Sequence, residues 1–364
     1  MKSKIYLIVL VALLFMGSTG CTNWLDIKPE SQVVLEEYWK SESDVDAVLA
    51  SCYKALTEYD VISRMVAWGE VRSDNMTSGS AYLYDLNHMM EGDLKPSNGY
   101  CSWNSFYKVI NYCNTVLKYA PTVVGKDENF TEADLHYVQS EALTLRALCY
   151  FYLVRSFKEV PWIEDASVDD TQNYAIEQSK EPQLISYIIS DLKTAQQYAR
   201  TDFGVTSYNK GRVTLNTVNT LLADVYLWDQ QYDNCIEACN KVLSNKQLKL
   251  VSSDNMYSSV FGSGNSSESI FELQFSESQN VNWFVRSFYG YESLQNGFLS
   301  FPTNLVYDPY SQIQVNGLYS PFNFKTPVES TNDIRAKEFI NLNNSTSGTY
   351  YIFKYAGTGV DYAL

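Results

Sequence analysis

Between residues 41 and 245, apolar side chains recur three and four positions apart in six successive segments, a period that confines the region to packed amphipathic helices. Ser41-Glu-Ser-Asp44 predicts the first start: a serine cap with an acid three residues on, followed by Val45, Val48, Leu49, Cys52 and Leu56 along one face. A second helix is predicted over about 102–118, with Trp103, Phe106, Ile110, Cys113 and Leu117 on one side and Pro121 to stop it. Thr131 caps a longer third helix, whose face is Leu135, Val138, Ala142, Leu145, Cys149 and Tyr152, ending by Val160-Pro161. Glu181-Pro182 opens a fourth with Leu184, Ile188, Leu192, Ala195 and Ala199. Thr214 opens a fifth with Leu215, Val218, Leu222 and Val225, and a sixth holds Cys235, Ile236, Cys239 and Leu243.

These segments read as antiparallel pairs. In the clearest, Leu222–Trp228 and Tyr232–Ala238 flank a short polar turn; Ala223 and Ala238 permit close helix contact, while Tyr226 and Tyr232 wedge the turn. That is the grammar of a tetratricopeptide hairpin, here without a regular period. Stacked hairpins share a core and leave one face for a partner.

Beyond about 250 the texture changes. Residues 251–364 hold 22 aromatic and 15 charged side chains, spaced by serine, asparagine and glycine. Two alternating runs, 269–275 and 350–355, predict strands. Long aromatic loops in a compact domain are usually functional.

The N-terminus carries a different signal. Lys2 and Lys4 precede an unbroken apolar run from Ile5 to Met16, then Gly17-Ser-Thr-Gly20 and Cys21. The run falls short of the about 20 residues a membrane span needs and fits the core of a secretion signal. Residues 1–20 are therefore expected to be a lipoprotein signal peptide, with lipid carried by Cys21. An ordinary cleaved signal followed by a chance cysteine is the alternative, since Ser18 stands where a hydrophobic residue is usual.

The whole chain has 27 basic and 42 acidic residues, a net charge of -15, and loss of Lys2 and Lys4 makes it more acidic. Nucleic acid and anionic lipid surfaces both demand basic patches, so neither is an expected partner. Beyond Cys21 the cysteines are Cys52, Cys101, Cys113, Cys149, Cys235 and Cys239, without a C-x-x-C, and most sit among apolar neighbours. Buried free thiols are favoured over a disulfide framework. His88 and His136 are the only histidines and lack ligand spacing, so no metal or other cofactor is expected. No nucleophile elbow, phosphate loop or metal-binding helix marks an enzyme, although counting carboxylates does not exclude a glycosidase pair.

Seven blocks in order resemble the SusD/RagB family. They are Cys21-Thr-Asn-Trp-Leu-Asp-Ile-Lys-Pro29; Tyr38-Trp39-Lys40-Ser41; Trp68-Gly-Glu-Val-Arg-Ser-Asp-Asn75; and Trp103 through Asn114. The others are Glu141-Ala-Leu-Thr-Leu-Arg-Ala147 on to Val160-Pro161, Gly211-Arg-Val-Thr214, and Glu268 through Gln274. The resemblance implies a mainly α fold: a helical tetratricopeptide-like core over 21–245 and an irregular, partly β, loop-rich ligand-binding region over 246–364. It implies a cell-surface lipoprotein of the outer membrane that binds oligosaccharide or starch-like glycan and hands it to a TonB-dependent (SusC-like) transporter, without catalysis. Other family members serve peptides or protein fragments, so a peptide importer subunit or helical scaffold is the alternative, and a glycan-degrading enzyme a more distant one. The family's text continues past this point with an Arg-containing helix near Ala-Glu-Ala. No such segment is seen before Leu364, which leaves the C-terminal part of the fold missing and apolar helix faces uncovered.

A sugar presents apolar C–H faces and a hydroxyl rim, which favours flat aromatics beside amides and charged groups. Two stretches offer both: Ser80-Ala-Tyr-Leu-Tyr-Asp-Leu-Asn87, read as a loop, and Asn280 through Tyr291. The candidate platforms are Tyr82, Tyr84, Trp283 and Tyr289; the candidate polar contacts are Asn87, Asn282 and Arg286. Any one of these aromatics taken alone reads more readily as core or ordinary loop than as a platform; the two clusters together carry the functional reading. Arg146 and Arg212 read as structural, since an arginine inside an apolar helix, such as Arg146, either snorkels or pairs with a buried carboxylate, and Glu70 and Asp74 read as turn-stabilising.

Overall fold

The capping patterns read from the sequence close around real helix starts. The computed structural model describes residues 35–73, 76–78, 83–168, 172–276, 282, 284, 288, 299–301, 340–341 and 350–352. A single helical turn, Leu35–Tyr38, belongs to a unit of its own that ends at Lys40; the second unit runs from Ser41 onward. In that unit α1 is Glu42–Leu56, and the Ser41 amide and hydroxyl both donate to Asp44, at 2.9 and 2.7 Å. Then come α2 (Tyr59–Val66), running into a π turn at Ala67–Val71, α3 (Tyr84–Met90), and α4 (Asn104–Tyr119). Next are α5 (Glu132–Phe157), α6 (Glu181–Tyr198), α7 (Thr206–Gly211), α8 (Leu215–Trp228) and α9 (Tyr232–Leu243).

Packing follows chain order. α1 lies on α4, α4 on α5, α5 on α6, α6 on α8, and α8 on α9. The central member, α5, begins with a reciprocal cap between Thr131 and Asp134 and is buried around most of its circumference from Ser140 to Val154. A helix buried all round must be apolar all round or have its polar groups paired. That is why Glu141 and Arg146, both buried here, each have a partner from another element. Small residues bring α8 and α9 together as expected, with Ala223 and Ala238 buried. The side chains that announced α9 face outward instead: Ile236 and Leu243 are exposed, and Ala238 and Val242 form the buried seam. The turn between these helices is a Schellman motif, Gln231 N–H donating to Tyr226 O (2.8 Å) and Gln230 N–H to Leu227 O (3.2 Å), with Gln230 at φ 59°.

Cys52, Cys113 and Cys149 are buried on α1, α4 and α5, and all six described cysteines are unpaired. Cys52 shares a hydrogen bond with Cys113, which together with burial raises its thiol well above the ordinary value; burial does the same to Cys149.

Two expectations fail. Tyr84–Asn87 is the first turn of α3, not loop. Residues 269–275 form no strand: Glu272 N–H donates to Lys210 O (2.7 Å) at the end of α7, and Lys210 Nζ donates to Ser269 O. Among the described residues this segment packs on helices and pairs with no strand.

The strands are short: β1 (Thr77–Ser78), β2 (Val160–Pro161), β3 (Gln178–Ser179), β4 (Leu299–Phe301), β5 (Ile340–Asn341) and β6 (Tyr350–Ile352). β2 and β3 form an antiparallel pair. The others form one antiparallel sheet in the order β1-β4-β6-β5, with Thr77 opposite Ser300 and Ser300 opposite Tyr351. The second predicted strand is therefore present as β6, with 353–355 outside the described residues. Among the described residues no helix is long and apolar enough to cross a membrane.

Candidate ligand-binding site

The two aromatic stretches singled out in the sequence meet. Leu86 and Met89, one turn apart on α3, share a buried cluster with Phe284 and Phe288, nearly 200 residues further along. Ile62, Ala67 and Val71 from α2 and its π turn complete that cluster with Phe275. The Phe284 and Phe288 rings stack at 3.9 Å, and Tyr59 meets Phe284 edge-on at 5.5 Å.

α3 is held from its outer side by the loop that follows it. Asn98 Nδ2 donates to Asp85 O (2.8 Å), and Gly99 N–H donates to the Asp85 carboxylate (3.0 Å). Arg64, buried on α2, clamps the same loop by donating to Gly99 O (3.0 Å) and Ser102 O (2.7 Å). A helix of seven residues has little stability of its own, so these bonds and the cluster beneath must supply it.

With Leu86 and Met89 facing inward, Tyr84 faces out and is 59% exposed. Its ring stands edge-on to His88 at 4.2 Å. His88 Nδ1 lies 2.9 Å from Asp93, and Lys95 Nζ lies 3.3 Å from the same carboxylate. Lys95, with His88 in support, holds the Asp93 carboxyl below its ordinary value, and Asp93 in turn raises Lys95. An exposed phenol ring therefore sits beside a donor–acceptor set of imidazole, carboxylate and ammonium, the combination that covers a C–H face and bonds the hydroxyls around it.

Of the other candidates, Asn87 and Asn282 are described and buried. Tyr82, Trp283, Arg286 and Tyr289 lie outside the described residues, as does Cys21. The residues that join the two stretches, Leu86 with Met89 and Phe284 with Phe288, were not singled out in the sequence. Their only signal was one i,i+3 pair and one i,i+4 pair of apolar residues, too short a period to mark either segment as helix.

Known proteins match this chain in sequence and in fold. The profile of the SusD-like family described as "Starch-binding associating with outer membrane" matches residues 23–227, more than half of the chain. A SusD-like protein of Formosa agariphila is 24% identical over 262 residues, 71% of this chain and 48% of the relative. A SusD-like protein of Bacteroides ovatus is 29% identical over 235 residues, 64% of this chain and 41% of the relative. The chain thus spans about half the length of the curated relatives it matches. Among solved structures, a laminarin-binding SusD-like protein superimposes with a TM-score of 0.69 at 19% identity, over 89% of this chain and 77% of the other. A SusD superfamily protein of Bacteroides vulgatus gives 0.68 at 19%, over 89% and 72%. At that identity the two structures speak for a shared fold.

Proposed function

The chain belongs to the SusD-like family, and from that premise we propose that it binds glycan at the cell surface, without catalysis, for delivery to a TonB-dependent outer-membrane transporter. Supporting this is the convergence of two distant aromatic stretches beneath the exposed ring of Tyr84. Family members are non-catalytic binding proteins, and the family description names starch. Tyr84 serves as a stacking platform, with Tyr82, Trp283 and Tyr289 as further platforms and Arg286 as a polar contact. Asn87 and Asn282, both buried, brace the floor more than they reach a ligand. The exposed rim contacts beside Tyr84 fall to Asp93 and Lys95, with side chains 52% and 50% exposed. Cys21 carries the lipid that keeps the protein at the outer membrane.

Retardation in native gels containing soluble starch or laminarin tests the binding, with Tyr84→Ala and Trp283→Ala as controls. Loss of retardation in these variants supports the reading, and migration unaffected by any of a broad glycan panel sinks it. Radiolabelled palmitate incorporation that survives Cys21→Ala removes the anchor from the proposal, and failure of a TonB-dependent transporter to co-purify removes the partner.

A further inference from the structure

α9 is the last long helix among the described residues, and it packs on α8 through its buried seam of Ala238 and Val242. A second apolar stripe runs along the same helix. Tyr232, Ile236, Cys239 and Leu243 stand four, three and four residues apart, which places them along one side of an α-helix. Tyr232 and Ile236 are each 58% exposed, Leu243 is 78% exposed, and Cys239 is exposed. An inner helix of a stacked array turns such a face to its neighbour, whereas a terminal one is normally polar outside. The stripe therefore calls for an occupant.

Its spacing points to one. A 4-3-4 pattern reads the same in both directions. A second copy of α9 laid antiparallel sets Tyr232 against Leu243 of the other copy and Ile236 against Cys239, and a two-fold axis repeats both contacts. The flanking charges obey the same symmetry. Asp229 stands three residues before the stripe and Lys246 three residues after it, both exposed. Asp229 accepts from the neutral amide of Gln231 at 2.6 Å, which leaves its charge unmatched. The axis that aligns the stripe brings Asp229 of each copy toward Lys246 of the other. Asp233 and Lys249 repeat the asymmetry, acid near the start and base beyond the end. Antiparallel pairing also opposes the two helix dipoles, while a parallel pair sets acid on acid and base on base.

We propose that α9 is an interface between two copies of this chain, paired antiparallel about a two-fold axis. At 12 residues α9 is about 18 Å long. Its stripe thus offers less than the about 800 Å² per partner of a standard interface, and the pair forms weakly and reversibly. The dimer is independent of the glycan-binding reading, since neither Tyr84 nor the cluster beneath α3 takes part in it.

Sedimentation equilibrium of the full chain under reducing conditions, from low micromolar concentration upward, tests the pairing. Ile236→Glu and Leu243→Glu are the disrupting variants. Both positions are exposed, so the folded monomer is retained, and circular dichroism melting verifies this. The parent is expected to show a reversible monomer–dimer equilibrium. Each variant should raise the dissociation constant at least about a hundred-fold, because the axis buries every new carboxylate twice. Asp229→Lys and Lys246→Asp should each weaken the dimer about three-fold, and the two together should restore the parent value. That rescue is specific to antiparallel pairing. A parent that stays monomeric up to its solubility limit overturns the proposal. So does a dimer indifferent to Ile236→Glu, or a double charge variant no tighter than the single ones.

Discussion

Two arginine–carboxylate pairs involve the central helix at different depths. Arg146, on α5, is sealed: its Nε and Nη2 each donate to Asp191 on α6 at 2.8 Å, and Nη1 donates to Asn114 on α4, also at 2.8 Å. Asn114 passes the connection on by donating to Ile163 O at 2.9 Å. Arg212 approaches from the end of α7 with its side chain 33% exposed and bonds Glu141 of α5, itself 3% exposed, at 2.6 and 3.0 Å. Tyr53 on α1 donates to the same carboxylate and accepts from Val213 N–H (2.9 Å), and a cavity of about 500 Å³ opens beside Arg212 and Tyr53. In the first pair both charges are sealed; in the second, water reaches the arginine but not the carboxylate. A buried charge is tolerated when its partner is fixed, so the first pair is expected to be much less forgiving of loss than the second.

Arg146→Ala breaks the sealed pair and should cost the most, about 3–5 kcal/mol in urea unfolding, because it leaves Asp191 buried and unpaired. A loss below about 1 kcal/mol erases the distinction between the two regions. Arg212→Ala should cost less, about 2 kcal/mol, since Glu141 keeps the Tyr53 hydroxyl and water fills the vacated space; a cost equal to that of Arg146→Ala argues that exposure is irrelevant here. Tyr53→Phe should remove about 1–2 kcal/mol, a donor to Glu141 and the acceptor of Val213 N–H being lost together.

The open pair also has a pH signature. Burial raises the Glu141 carboxyl above its ordinary value of 4.5, against the pull of Arg212 and Tyr53. The folded chain therefore holds this proton more tightly than the unfolded chain. Stability linked to it is full below 4.5 and declines as pH rises through the raised value. Glu141→Gln should flatten that decline in melts between pH 4 and neutrality, and an unchanged profile assigns the slope elsewhere. The smallest effect is expected far from both pairs: Gln230→Gly relieves a non-glycine residue at φ 59° and should stabilise the chain by about 1 kcal/mol. Both arginine effects should persist unchanged in that background.

Much of the helical core was legible. Ser41 with Asp44 and Thr131 with Asp134 are caps whose partners lie three residues away, so local sequence contains the whole interaction. A structural role for Arg146 was legible as well, although snorkelling and pairing with a buried acid both fitted an arginine among leucines and alanines in a helix. Its particular partner, Asp191, was not, because nothing around residue 191 distinguishes that carboxylate from its neighbours before α5 and α6 pack. At the candidate site, Tyr84 was singled out as an aromatic in a stretch rich in them, but its helix was missed. Seven residues with two inward apolar side chains make too short a period to separate from loop. Residues 269–275 failed in the opposite direction: alternation alone cannot say whether a neighbouring strand exists.

The amino-acid sequence by itself determined where the long helices begin and end and which of their faces seek the interior, because caps and apolar periods act within one or two turns of chain. Only the tertiary structure decided that α3 stands on Phe284 and Phe288, that Asp191 answers Arg146, and that the π turn after α2 adds Ala67 and Val71 to the cluster beneath α3. Those are contacts between residues tens to hundreds of positions apart, and no local pattern specifies a partner that the folding of the whole chain must bring into reach.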